Sequence, residues 1–171
     1  MPLRRRTPVR VERGERLLAD AAATQAHLGG TRDALYVVRH RGTGALALDE
    51  TVRIPWEEVE AADWDAATST LRVSEVGSWG VERPVHVFTI PEPGHLLELV
   101  RERVTASVVL QRHVPLHGRR GVRVVARRAP RGDRPITWFY EYDEGIDPDD
   151  PVVRRAAEEA LAAAQVDVGL P

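Results

Sequence analysis

No cysteine and no lysine occur among the 171 residues. Without cysteine there are no disulfides, no thiolate metal ligands and no cysteine nucleophile. Without lysine, all 24 basic residues are arginine, and the lysine of a phosphate-cradling P-loop is missing; Gly42-Thr43-Gly44 is also too short for either glycine fingerprint. Arginine-only usage beside abundant alanine, valine, 13 glycines and 12 prolines reads as coding bias of a GC-rich genome, so arginine content alone is no argument for RNA. Long apolar runs are absent too. No stretch approaches the roughly 20 residues a membrane helix needs, and Arg4, Arg5 and Arg6 lead into polar sequence from Thr7 to Glu15 rather than the apolar core of a signal sequence. The cytoplasm is the expected compartment and no membrane partner is expected. Net charge is −2, so no global field draws an anionic partner.

At this length the chain fits one domain, or one domain with an appendage. Residues 1–13 carry Arg4, Arg5, Arg6, Arg10 and Arg13 with two prolines and are expected to form a mobile basic arm. The run from Glu15 to Thr24 leans to an opening strand. Thr31-Arg32-Asp33 is turn chemistry, and Ala34-Leu35-Tyr36-Val37-Val38 is strand composition, so the two strands pair as a hairpin. A flexible turn at 41–44 and a short strand at 45–48 follow.

Residues 52–76 read as a β-hairpin. Val52, Ile54 and Trp56 alternate with polar neighbours, Pro55 permits a bend, and 65–69 turns the chain towards Leu71 and Val73. A turn at 77–80 precedes a strand over 84–90, with His86 on the face of Phe88 and Ile90. After the break Pro91-Glu92-Pro93-Gly94, Leu96, Val100, Val104 and Val108 recur every four residues with Leu97 beside them, which predicts a helix with one apolar stripe. Beyond it, 113–118 reads as a loop, 122–127 and 136–142 as a hairpin, and Asp147-Pro148-Asp149-Asp150 as the start of a final helix. That helix carries Val153, Ala157, Ala160, Leu161 and Ala164 on one side.

The hairpin at 31–36, the segment Ile54-Pro55-Trp56-Glu57-Glu58-Val59 and the strand leading into 96–108 together resemble a bacterial pleckstrin-homology-like domain. The whole chain also resembles an actinobacterial family with a C-terminal extension, a similarity that brings no activity with it. The resemblance implies an α+β fold: an antiparallel β-barrel of six to seven strands over 14–113 capped by a helix, followed by a β-hairpin and C-terminal helix over 114–171. It also implies a scaffold for peptides, partner proteins or phosphoinositides, and no catalysis. The lipid version does not carry over. Arg32, Arg39, His40 and Arg41 stand where a basic cluster would grip phosphate, but Glu57, Glu58, Glu60, Asp63 and Asp65 follow and would repel an anionic surface.

Catalytic and metal chemistry find little purchase. Nothing marks Ser69, Ser74, Ser78 or Ser107 as a nucleophile, and Glu57 and Glu58 point to opposite faces of a strand. His113 and His117 are four apart, but Pro115 between them argues against a helix and no third ligand is near. No cofactor and no metal are expected, and an enzyme only if a pocket were to hold a histidine and a carboxylate together, around His86 or His113. For binding, Trp56, Trp64 and Trp79 form one candidate surface, with core packing as the equal alternative. Arg120, Arg123, Arg127 and Arg128 form a second. Beside Trp138, Phe139, Tyr140 and Tyr142, those arginines suggest single-stranded RNA or other nucleic acid as the alternative ligand. The competing reading has the aromatics in the core and Arg123 and Arg127 neutralised by Glu141 and the acidic run after it. The expected function is a non-enzymatic interaction module for a protein or peptide partner, with a homo-oligomer possible through the aromatic hairpin's edge.

Overall fold

The computed structural model describes residues 7–41, 48–77, 82–132 and 134–169. The expected turns at 42–44 and 78–80 (the latter with Trp79), the strand residues 45–47 and the arm residues 1–6 lie outside them. The described chain forms two compact units, one of residues 1–106 with 129–131, the other of 107–128 with 132–171.

In the first unit the expected barrel is overturned. Seven antiparallel strands divide into two separate sheets, and no closed barrel forms among the described residues. One sheet has the order β1 (Ala19–Ala22), β2 (Ala26–Gly30), β3 (Ala34–Arg41), β4 (Leu48–Pro55); the other has β5 (Val59–Asp65), β6 (Thr70–Glu75), β7 (Val85–Thr89). Pro55 ends β4, a single 3-10 turn at Trp56–Glu58 redirects the chain, and β5 starts the second sheet. The two-residue period decides what each strand buries. Leu28, Leu35, Val37 and Ile54 of the first sheet face Leu71, Val73 and Phe88 of the second in one core, which Leu96 and Val100 of helix α1 (Leu96–Ser107) complete. Each such side chain contributes about 1.5–3 kcal/mol by leaving water. Leu99 is buried as well, outside the expected stripe, while Val104 is only half-buried and Val108 already belongs to the next strand.

β2 runs through Gly29 and Gly30. A Cβ on Gly30 would stand 2.5 Å from Leu99 Cδ2, and one on Gly29 would stand 2.7 Å from Leu17 Cδ1. The glycines are there because other chain segments come close on both faces of the strand. The segment beyond Gly29 is the supposed arm, of which residues 7–13 are not free. Val9 is buried, Val11 and Leu17 pack beside it on Ala34, Tyr36 and Val38, and Glu12 N–H donates to Tyr36 Oη at 3.1 Å. Glu15 holds the segment down, accepting from Arg53 Nη2 at 2.6 Å and from Thr31 Oγ1 at 2.5 Å. β3 is therefore covered on both faces, which explains its unbroken apolar run. Residues 129–131 return to this unit, where Arg131 grips Asp33 with two nitrogens at 2.8 and 2.7 Å.

The second unit is a three-stranded antiparallel sheet, ordered β10 (Thr137–Tyr142), β9 (Arg120–Arg127), β8 (Val108–His117), with helix α2 (Pro151–Asp167) on one face. It is thus more than the expected hairpin. The supposed loop at 113–118 is largely strand, with Leu110, Arg112, Val114 and Leu116 half-buried and their neighbours exposed. Pro115 sits on an outer strand, where its missing N–H costs nothing. Val124, Ala160 and Ala164 form the core with Leu110, Trp138, Tyr140 and Leu161, the alanines letting the helix lie close to the sheet. The helix start uses the expected acceptor-then-proline chemistry three residues later. Asp150 is the cap, its carboxylate accepting from Val152 N–H at 2.7 Å, and Pro151 opens the helix.

Candidate functional site

The residues singled out for binding do not assemble into one surface. Trp56 is fully buried and its Nε1–H donates to Thr31 O at 3.0 Å, so it is a core residue that pins the corner between the sheets. Trp64 is half-buried, opposite Leu71, with its ring against the same core. Trp79 lies outside the described residues. Among the arginines, Arg127 is 4% exposed and donates to Ser107 Oγ at 3.0 Å, which removes it from any ligand surface. Arg123 is paired with Glu141 at 3.2 Å, as the neutralisation reading has it, and half-buried Arg128 offers its backbone N–H to Ser107 O at 2.9 Å. Arg120 alone of the four is exposed, donating weakly to Glu144 O at 3.4 Å. Trp138 and Tyr140 lie on the α2 side of the sheet, opposite Ala126 and Val124, so their rings are occupied by packing.

The two histidines named as places to look do meet carboxylates. His113 Nε2 lies 3.1 Å from Asp143, whose same oxygen accepts from Gly121 N–H at 2.8 Å. The Gly121 N–H, and then His113, hold the Asp143 carboxyl below the usual carboxylate range. This arrangement ties the residue after β10 to the start of β9. Among the described residues no group of three or more His, Cys, Asp or Glu side chains is placed to hold a metal.

His86 is different, because it lies in a cleft. The cleft has a volume of about 570 Å³, within the roughly 300–1,000 Å³ of ligand sites. It lies between residues 23–26, where β1 turns into β2, and all five residues of β7, with Arg39 and His40 at the end of β3. Inside it, Arg39 Nη2 is 2.8 Å from His86 Nδ1, and His86 Nε2 is 2.5 Å from Glu75 Oε1. An arginine can only donate, so Nδ1 accepts and Nε2 carries the proton that Glu75 receives. The His86 ring stacks on Phe88 at 6.2 Å, and the Arg39 guanidinium lies 6.0 Å from the Phe88 ring centre. This polar chain extends the inward faces of three strands to the edge of the core: Leu35, Val37, Arg39; Phe88, His86; Val73, Glu75. Both ring nitrogens of His86 are engaged, so it has no free lone pair with which to act as a base.

β7 itself supplies the other half of the site. Pro84 O accepts from Glu75 N–H and Ile90 N–H donates to Ser69 O, so even-numbered residues direct their backbone groups to β6. Thr89 O accepts from Thr24 N–H at 3.0 Å, so odd-numbered residues direct theirs the other way. The N–H and C=O of Val85 and Val87 thus face the cleft, and no strand pairs with that side of β7 among the described residues. Their side chains are 40% and 60% exposed. The arrangement offers main-chain hydrogen bonds, two apolar side chains on the outer face and a cation on the inner one.

No family model matches the chain, and none of the curated proteins matches it. The likeness to pleckstrin-homology-like domains and to an actinobacterial family finds no support there. No helix among the described residues is long and apolar enough to cross a membrane.

Proposed function

We propose that this chain is a non-enzymatic, cytoplasmic interaction module that binds an extended segment of a protein partner as an added strand along β7. The observation that carries the reading is the outward direction of the Val85 and Val87 backbone groups into an open cleft. Main-chain pairing supplies affinity in such complexes, and pockets for alternate side chains supply selectivity. The engaged state of His86 supports a binding role over a catalytic one. The nucleic-acid alternative has less behind it: Arg127 is buried, Arg123 is paired, and Trp138 and Tyr140 are packed under α2.

The test is a titration of isotope-labelled protein with short, end-blocked extended peptides in which valine alternates with a second residue. Shifts of the Val85 and Val87 amide signals are expected in the parent, with the Val85 shift lost in Val87→Pro, which has no amide at 87 to observe, and both shifts kept in Val87→Thr. Unmoved signals with every peptide contradict the proposal. Single-stranded RNA at about 50 mM salt is expected not to bind; salt-dependent binding would favour the alternative.

A further inference from the structure

We infer that the added strand carries an acidic side chain flanked by apolar residues, and that Arg39 is the residue that selects it. This rests on the strand-addition reading above and names the chemistry of its ligand. Arg39 lines the cleft, and none of the lining residues is Asp or Glu. No ion pair joins Arg39 to a carboxylate among the described residues; its side-chain hydrogen bond goes to His86 Nδ1. A cation lining a cleft that holds no carboxylate favours a ligand that brings one. Glu75, the nearest anion in the chain of contacts, is turned towards the far side of the His86 ring.

The alternation of a strand sets the pattern of the ligand. A residue whose side chain points to the inner face, beside His86 and Phe88, meets Arg39; its two neighbours point to the outer face, beside Val85 and Val87. An acidic residue between two β-branched ones satisfies both faces. A second copy of this chain pairing β7 to β7 does not, because it would bring a second Arg39 to the site in place of a carboxylate. His86 is the positioning residue: its Nδ1 holds the guanidinium against the Phe88 ring, and Glu75 fixes the tautomer in which Nδ1 accepts.

The experiment compares three end-blocked pentapeptides, Thr-Val-X-Val-Thr with X as glutamate, glutamine or lysine, by the shifts of the Val85 and Val87 amides. Blocking the C-terminus leaves the side chain as the source of any carboxylate. The glutamate peptide is expected to bind about tenfold more tightly than the glutamine one, the worth of a charge-assisted hydrogen bond. The lysine peptide is expected to be the weakest. The preference should disappear in Arg39→Gln, and in the unmodified protein it should shrink between about 50 and 500 mM salt, a readout that does not depend on a variant folding. Equal binding of the glutamate and glutamine peptides overturns the inference and leaves strand addition standing. No amide shift with any peptide overturns both. Concentration-dependent dimerisation through β7 that excludes the peptides also overturns the inference.

Discussion

Thr24 N–H donates to Thr89 O at 3.0 Å, tying the turn after β1 to the last residue of β7. Theirs is the one backbone hydrogen bond across that side of the first unit among the described residues. Beyond it the cleft opens along Val85 to Phe88, and the polar chain Arg39, His86 and Glu75 closes the core behind it. The same gap that keeps the two sheets from forming a barrel is what makes a strand-sized site.

Edge and centre should respond differently to proline. Arg72 and Val87 lie directly opposite one another, both with exposed side chains, but Arg72 is on the central strand of its sheet and Val87 on the outer one. Arg72→Pro breaks the ladder and should cost about 3 kcal/mol or more. Val87→Pro loses a donor that faces the cleft and should cost less than about 1 kcal/mol. Urea denaturation of the two variants measures the contrast, and equal costs would contradict the assignment of sides.

Trp56 should prove a core residue. Trp56→Ala removes a fully buried ring and is expected to cost about 3–5 kcal/mol. Trp56→Phe keeps much of the volume but leaves Thr31 O without its donor, for a loss of about 1–3 kcal/mol. Thermal unfolding reads both. A Trp56→Phe variant that melts with the parent would show that the indole hydrogen bond is not made.

Two carboxyls should give opposite pH dependences. Asp143 is held low by Gly121 N–H and by His113, so its contribution is present above the ordinary carboxylate pKa of about 3.9 and is lost as pH falls through its own lower value. The stability difference between the parent and Asp143→Asn should therefore be largest near neutrality and narrow in acid. Glu58 is pushed up by burial and then by Glu57 and Glu75, so its ionisation opposes folding as pH rises through the carboxylate range. Glu58→Gln should stabilise the protein at pH 7 and do little in acid. Denaturation curves from pH 3 to 7 decide both signs.

Much of this was open to sequence reading wherever a period was local. The strand composition at 34–38, the alternations at 71–73 and 85–90 and the four-residue spacing of Leu96 and Val100 carry over directly into burial. Pro115 reads as a break in a loop, whereas it sits on an outer strand that needs no donor, and Gly29 and Gly30 stand inside β2 because close neighbours leave no room for a Cβ. Closure of a barrel depends on whether β1 and β7 pair, a contact between distant segments that no local pattern encodes. Of the site, His86 was already on the face of Phe88 and Ile90. In the sequence Arg39 reads as one of a basic group with Arg32, His40 and Arg41, although it is the third member of the inward series Leu35, Val37, Arg39. Trp56 and Arg127 show the reverse error, since residue types common at interfaces are equally at home in a core when a carbonyl or hydroxyl is within reach.

The claim on which the rest depends is that the β7 backbone alternates between a paired side and an open one. Residue-resolved amide hydrogen exchange in the free protein tests it most directly. The Val85 and Val87 amides should exchange orders of magnitude faster than those of His86 and Phe88, which are bonded to β6. Comparable protection at Val87 and Phe88 would mean that the edge is already occupied, and the site proposed along it would not exist.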